Sequence, residues 1–131
     1  MVFFMAKYRK KLEADIRCPL EYGLSVFGGK WKSRIICVLS ADKKLRYSEI
    51  RKEMYNITDA VLAATLKDLI ADGIVDRKSY DEIPPRVEYS LTEKGNSVVP
   101  ILQSICRWSD IFYKEDVENE MKQCQKCDYH R

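Results

Sequence analysis

Histidine is nearly missing from this chain of 131 residues, which has one, at position 130. With no glycine-rich phosphate loop and no nucleophile beside a base, the residues offer no catalytic constellation, and an enzyme is not expected. Long apolar runs are missing too. Residues 2–6 and 35–39 are among the longest, far short of the ~20 residues that a membrane-spanning helix needs. The opening order, Phe3-Phe4-Met5 before Lys7, Arg9, Lys10 and Lys11, is the reverse of a secretory signal, so a soluble, cytoplasmic protein is expected. Five cysteines, an odd number with no export signal, argue for reduced thiols and against a disulfide framework. Neither sign of charge dominates: 23 basic and 20 acidic residues leave +3. A polyanionic partner would therefore be held by a few placed cations and not by a basic cloud. The positive excess is N-terminal, since residues 1–42 carry eight cations against four carboxylates while residues 43–95 carry ten of each.

What is present is a periodic apolar pattern, with 46% hydrophobic residues, enough to bury one core. Residues 3–15 read as a first helix, with Phe4, Tyr8, Leu12 and Asp15 along one stripe. Cys18-Pro19-Leu20-Glu21 reads as a helix start, with proline at the first helical position and a glutamate placed to reach back to orphan amides. Gly28-Gly29 ends that helix, and Lys30-Trp31 begins another, in which Trp31, Ile35, Val38 and Leu39 recur at helical spacing. Residues 41–44 read as a connector. A short helix over residues 48–54 is joined through Asn56-Ile57 to a helix capped by Thr58. In that helix Leu62, Leu66, Leu69 and Ile70 form the buried stripe, and Thr58, Asp59, Ala60, Ala63, Ala64 and Lys67 lie off it. Gly73 stops it. Residues 74–80 and 86–91 are β-rich and flank Pro84-Pro85, which reads as a hairpin. Thr92-Glu93 caps a last helix in which Ile101, Ile105, Trp108 and Phe112 recur, and Pro100 either kinks that helix or marks its effective start. An apolar stripe so close to the end of a small domain either covers its own core or, with the first helix, forms a dimer interface.

Helix, tight turn, helix and hairpin is the winged helix-turn-helix order, mainly α with a small β-hairpin wing, in which the second helix fits the DNA major groove. The chain also resembles the HxlR family of bacterial transcriptional regulators, whose fold is MarR-like. The residues carrying the resemblance are Cys18-Pro19-Leu20-Glu21, Gly28-Gly29-Lys30-Trp31, Arg46-Tyr47-Ser48-Glu49-Ile50, Leu66-Lys67-Asp68-Leu69, Asp72-Gly73-Ile74-Val75, Pro84-Pro85-Arg86-Val87-Glu88-Tyr89 and Leu91-Thr92-Glu93-Lys94-Gly95. The match covers residues 18–113. Residues 1–17 then form an N-terminal dimerisation helix, residues 18–113 the winged domain with its C-terminal dimer helix, and residues 114–131 a tail. The resemblance implies a homodimeric repressor or activator on a palindromic double-stranded operator, often one that answers to electrophiles or oxidants.

Family members commonly carry polar or basic side chains where this chain has Ala60, Ala63 and Ala64. Base reading is then expected from Thr58, Thr65 and alanine contacts to thymine methyls, with DNA shape supplying the rest. Phosphate contacts are expected from Lys30, Lys32, Lys43, Lys44, Arg46 and Lys67. On the hairpin, Arg77, Lys78 and Arg86 are candidates; Arg86 either enters a minor groove or pairs with Glu82 or Glu88. A winged-helix module that binds another protein without touching DNA is the alternative.

Cys18, at a helix N-terminus beside Arg17, occupies an electropositive position that favours thiol reactivity and matches the family's sensing cysteine. It is either a redox sensor or simply a capping residue. Cys37 and Cys106 fall within apolar stripes and are expected to be small core residues. Cys124, Cys127 and His130 offer three of the four ligands a structural zinc wants; a metal site, a redox dithiol and a plain tail all stay open, and no cofactor is expected.

Overall fold

Cys18 leaves the extended region and Pro19 starts the first helix, α1 (Pro19–Phe27), as its fixed φ favours at that position. The computed structural model describes residues 15–113, so the expected helix over residues 3–15, apart from Asp15 in a turn, and the Cys124, Cys127 and His130 tail lie outside the described residues. Gly29, at φ +84°, turns the chain into α2 (Lys30–Asp42), using a left-handed conformation that glycine takes without steric cost. Ile35, Ile36, Val38 and Leu39 of α2 are fully buried and form the middle of the core. Where a plain connector was expected, α2 runs on to Asp42 and the next residues form a short strand, β1 (Lys44–Leu45). Two residues are too few to show a two-residue alternation; the strand exists because its partner waits about forty-five positions later.

The helices α3 (Tyr47–Met54) and α4 (Asp59–Ala71) follow, joined by a turn in which Tyr55 takes φ +74°. Ile50, Met54 and the turn residue Ile57 pack inward against Leu62, Leu66 and Leu69. Then come β2 (Val75–Tyr80) and β3 (Arg86–Leu91). The sheet is antiparallel in the order β1-β3-β2, with Leu45 opposite Tyr89, Arg77 opposite Tyr89 on the other side, and Tyr80 opposite Arg86.

Thr92 caps α5 (Glu93–Ser109), its hydroxyl accepting from the Gly95 amide at 3.0 Å. Pro100 lies inside this helix, which begins seven residues earlier. Gly95, Val98 and Leu102 face the core, but Ile101, Ile105, Trp108 and Phe112 are exposed. Among the described residues, five helices and a three-stranded sheet follow the winged helix-turn-helix order expected from the sequence. Cys37 packs half-buried on the core as expected. Cys106 does not: it is exposed, because among the described residues the buried core reaches along α5 only as far as Leu102.

Candidate nucleic-acid interface

The outer face of α4 carries Thr58, Asp59, Ala60, Ala63, Ala64 and Lys67, all exposed. Thr58 Oγ1 accepts from the Val61 amide at 3.2 Å and satisfies one of the donors that a helix start leaves open. Thr65 is a correction. It is buried at 8% exposure, and its hydroxyl donates to the Val61 carbonyl at 2.6 Å. Positions 62, 65, 66 and 69 share the inward stripe, and a threonine among leucines satisfies its hydroxyl locally; Thr65 is not on the outer face.

Asp59, a carboxylate on that face, is paired with Arg51 at 2.7 Å. Arg51 was missed in the sequence; the signal was a cation in the last turn of one helix opposite an acid in the first turn of the next. Tyr47 ties the same two helices, its hydroxyl donating to the Asp59 carbonyl at 3.2 Å. Burial, then the nearby Asp59 carboxylate, push the Tyr47 phenol above its usual value. It therefore stays a neutral donor across the physiological range.

Between α4 and the sheet lies a groove of about 260 Å³ lined by Tyr47, Ala63, Leu66, Lys67, Ile70, Arg77 and Tyr89. Lys67 and Arg77 thus both border it. Side chains alternate along a strand, so Arg77 and its neighbour Lys78 point to opposite faces. Lys78 stands over the Tyr80 ring at 5.2 Å, on the face that also carries Arg86.

Arg86 is bound within the hairpin: its guanidinium bonds Glu82 at 2.9 Å and Glu88 at 3.0 Å and stacks on Tyr80 at 3.8 Å. Of the two readings open in the sequence, pairing is the arrangement seen; the side chain is not extended from the wing. Arg86→Met is expected to lower the melting temperature by roughly 5 °C through loss of about 1 kcal/mol, since the pair is partly exposed, as thermal unfolding would register.

Lys44, on β1, and Arg46, in the residue before α3, are both exposed and lie beside the sheet and the helix-turn-helix. Lys30 and Lys32 are in the first turn of α2, at the opposite end of that helix from β1. Lys32 donates to the Ser25 carbonyl at 2.8 Å and Lys30 lies over Trp31 at 4.5 Å. The contacts of these two lysines are therefore at the α1–α2 junction.

Cys18 is exposed at the N-terminus of α1, with no hydrogen bond from its side chain to the helix. The cation beside it is engaged: Arg17 pairs with Asp15 at 3.0 Å, and the Arg17 amide donates to Glu21 at 2.8 Å. Glu21 does reach back, to Arg17 and not to Cys18. Next to Cys18, Leu20, Tyr22 and Leu24 are exposed, as is the outer half of α5, where Trp108 packs with Phe112 of the following turn, ring centres 5.4 Å apart. Among the described residues no group of three or more His, Cys, Asp or Glu side chains could hold a metal, and no helix is long and apolar enough to cross a membrane.

The HxlR-like helix-turn-helix family profile matches residues 26–117. The chain is similar to an HTH-type transcriptional regulator of Halalkalibacterium halodurans, with 44% identity over 104 residues, 79% of this chain and 92% of that protein. Among solved structures it is similar to the redox regulator HypR in its oxidised form, with 41% identity, TM-score 0.67, and 75% of this chain against 100% of that one. It is also similar to the reduced form of the transcriptional regulator YodB from B. subtilis, with 36% identity, TM-score 0.69, and 76% of this chain against 99% of that one.

Proposed function

Because this chain belongs to the HxlR-like helix-turn-helix family of transcriptional regulators, we propose that it binds a palindromic operator as a homodimer and answers to oxidants or electrophiles through Cys18. The observation that carries the DNA reading is the exposed face of α4. It is nearly free of bulky side chains, its one carboxylate is neutralised by Arg51, and Lys67 and Arg77 stand together along its edge. Thr58, Ala60, Ala63 and Ala64 approach base edges in the major groove, where alanine can meet thymine methyls. Lys67, Arg77, Lys44 and Arg46 take phosphates and set the register, with Lys78 on the outer side of the wing. With so few donors toward the bases, DNA shape and half-site spacing carry much of the specificity.

Dimerisation follows from the apolar stripe of α5 and the exposed apolar residues of α1. Trp108, 66% exposed, and Phe112 in the turn after α5 are more than a lone surface hydrophobe, and a second copy would cover them. The redox reading rests on an exposed thiol at a helix start beside that surface and on the printed description of HypR as a redox regulator. Oxidation by diamide takes two electrons and two protons from a pair of thiols, so Cys18 would join a second thiol as a disulfide while the diazene is reduced to the hydrazine. This is a regulatory, non-enzymatic role, like that of its relatives.

The test is repeated selection of the reduced protein on random-sequence DNA, followed by binding to the selected site before and after diamide. The expected result is a palindrome with half-sites ~34–36 Å apart, affinity falling steeply with salt, and a diamide effect that Cys18→Ser removes. Failure to enrich any site would move the reading to a protein-binding winged helix. A diamide effect that survives Cys18→Ser would take sensing away from that residue.

A further inference from the structure

Lys94, in the first turn of α5, reaches two elements far away in sequence. Its ammonium donates to the Tyr22 hydroxyl at 2.8 Å and to the Asp72 carbonyl at 2.8 Å. Asp72 is the residue that ends α4, the helix whose outer face is the candidate reading head. Tyr22 lies on α1 one helical turn after Cys18, and its amide donates to the Cys18 carbonyl at 3.2 Å. One cation thus bridges the helix that begins at the candidate sensing thiol and the end of the helix that faces DNA. Resting on the DNA and Cys18 readings above, we propose that Lys94 is the positioning residue that transmits the placement of α1 to the recognition helix.

Three features make the bridge directional. The lysine stem is fixed at the α4 side, because the start of α5 is locked onto the chain leaving α4. The Thr92 amide donates to the Ile74 carbonyl at 3.0 Å, and Gly95 packs so closely there that an added methyl group would lie 2.2 Å from the same oxygen. The ammonium also sits at the C-terminal, negative end of α4, where a cation is favoured and where the hydrogen bond is charge-assisted. At the other side α1 is held less firmly. Val26 near its end is its one buried residue, while Leu20, Tyr22 and Leu24 are exposed. A change at Cys18 that tilts α1 moves the Tyr22 hydroxyl, and the ammonium between the two partners must follow α1 or stay with Asp72. If it follows α1, the Asp72 carbonyl at the end of α4 loses its charge-assisted partner.

The experiment compares operator affinity before and after alkylation of the intact dimer with iodoacetamide, in which the Cys18 sulfur displaces iodide to form a thioether. Cys18→Ser serves as the blank for the other thiols. Lys94→Met and Tyr22→Phe are measured beside the parent, together with amide exchange over residues 69–73. Couplings of this kind commonly span roughly 5–150-fold. The parent is expected to lose on the order of tenfold in affinity on alkylation; Lys94→Met is expected to bind that much more weakly beforehand and Tyr22→Phe as the parent does, and both to change by less than about twofold after it. Exchange over residues 69–73 is expected to speed up on alkylation in the parent, and to be fast beforehand in Lys94→Met. Variants that keep the full parental response overturn the link. If the parent itself does not respond, the Cys18 reading fails, and exchange alone decides: faster exchange in Lys94→Met upholds the bridge to α4, and unchanged exchange overturns it.

Discussion

Gly95→Ala is expected to remove about 3 kcal/mol of stability, enough to lower the melting temperature of a domain this size by roughly 10–20 °C. The cause is steric and local. An alanine Cβ at position 95 would lie 2.2 Å from the Ile74 carbonyl oxygen and 3.2 Å from its carbon. Both are backbone atoms in the turn between α4 and β2, so neither can swing aside as a side chain would. To make room, α5 would have to lift off that turn, breaking the Thr92 amide bond to Ile74 and uncovering Val98 and Leu102. Gly23→Ala is the matched control. Its Cβ would meet only the Phe27 ring at 3.5 Å, an ordinary contact, and alanine inside a helix gains up to about 1 kcal/mol over glycine. Thermal unfolding of the two variants should therefore move in opposite directions. A Gly95→Ala protein that melts with the parent would mean that α5 is not seated on the turn as described.

Ala63→Glu is expected to weaken operator binding by at least about a hundredfold while leaving the fold intact. Ala63 is exposed in the middle of the outer face of α4, so the larger side chain meets no core. Lys67 follows four residues later, and a glutamate placed N-terminal to a lysine at that spacing adds a few tenths of a kcal/mol to the helix. On bound DNA the same carboxylate faces phosphates and bases in a narrow space, where like charges cost several kcal/mol, and a dimer suffers this twice. Fluorescence anisotropy on the selected site would measure the loss, and an unchanged or slightly raised melting temperature would show that it is not a folding defect. Parental affinity in Ala63→Glu would remove the face of α4 from the interface.

The parts of this fold that the sequence made legible are those written in local patterns. Gly28-Gly29, Thr58, Gly73 and Thr92 each mark a boundary within a residue or two of where it falls, because caps and left-handed turns depend on the residue itself and its near neighbours. The apolar stripe of α4 gave its buried and exposed faces, apart from Thr65, where a polar side chain hides its hydroxyl in the preceding turn. What the sequence did not reveal depends on partners distant along the chain. β1 exists only as a pair to β3, the Arg51–Asp59 contact needs the angle between two helices, and Lys94 meets Tyr22 from 72 positions away. Arg86 is an intermediate case: both acids were visible two and four residues away, but only geometry shows that it takes both. Cys106 was misjudged because periodicity says which side of a helix is apolar, not whether anything lies against it.

The fate of Arg86 also bears on how such a protein would search a genome. Residues 75–91 hold three cations and four carboxylates, and with Arg86 closed on Glu82 and Glu88 the hairpin has little positive charge left to cling to arbitrary phosphates. Non-specific retention is almost wholly electrostatic, so a wing of this kind would release bulk DNA quickly. Residence would then depend on the helix finding its shape-matched site, and a small pool of dimers would spend little of its time on the wrong sequence.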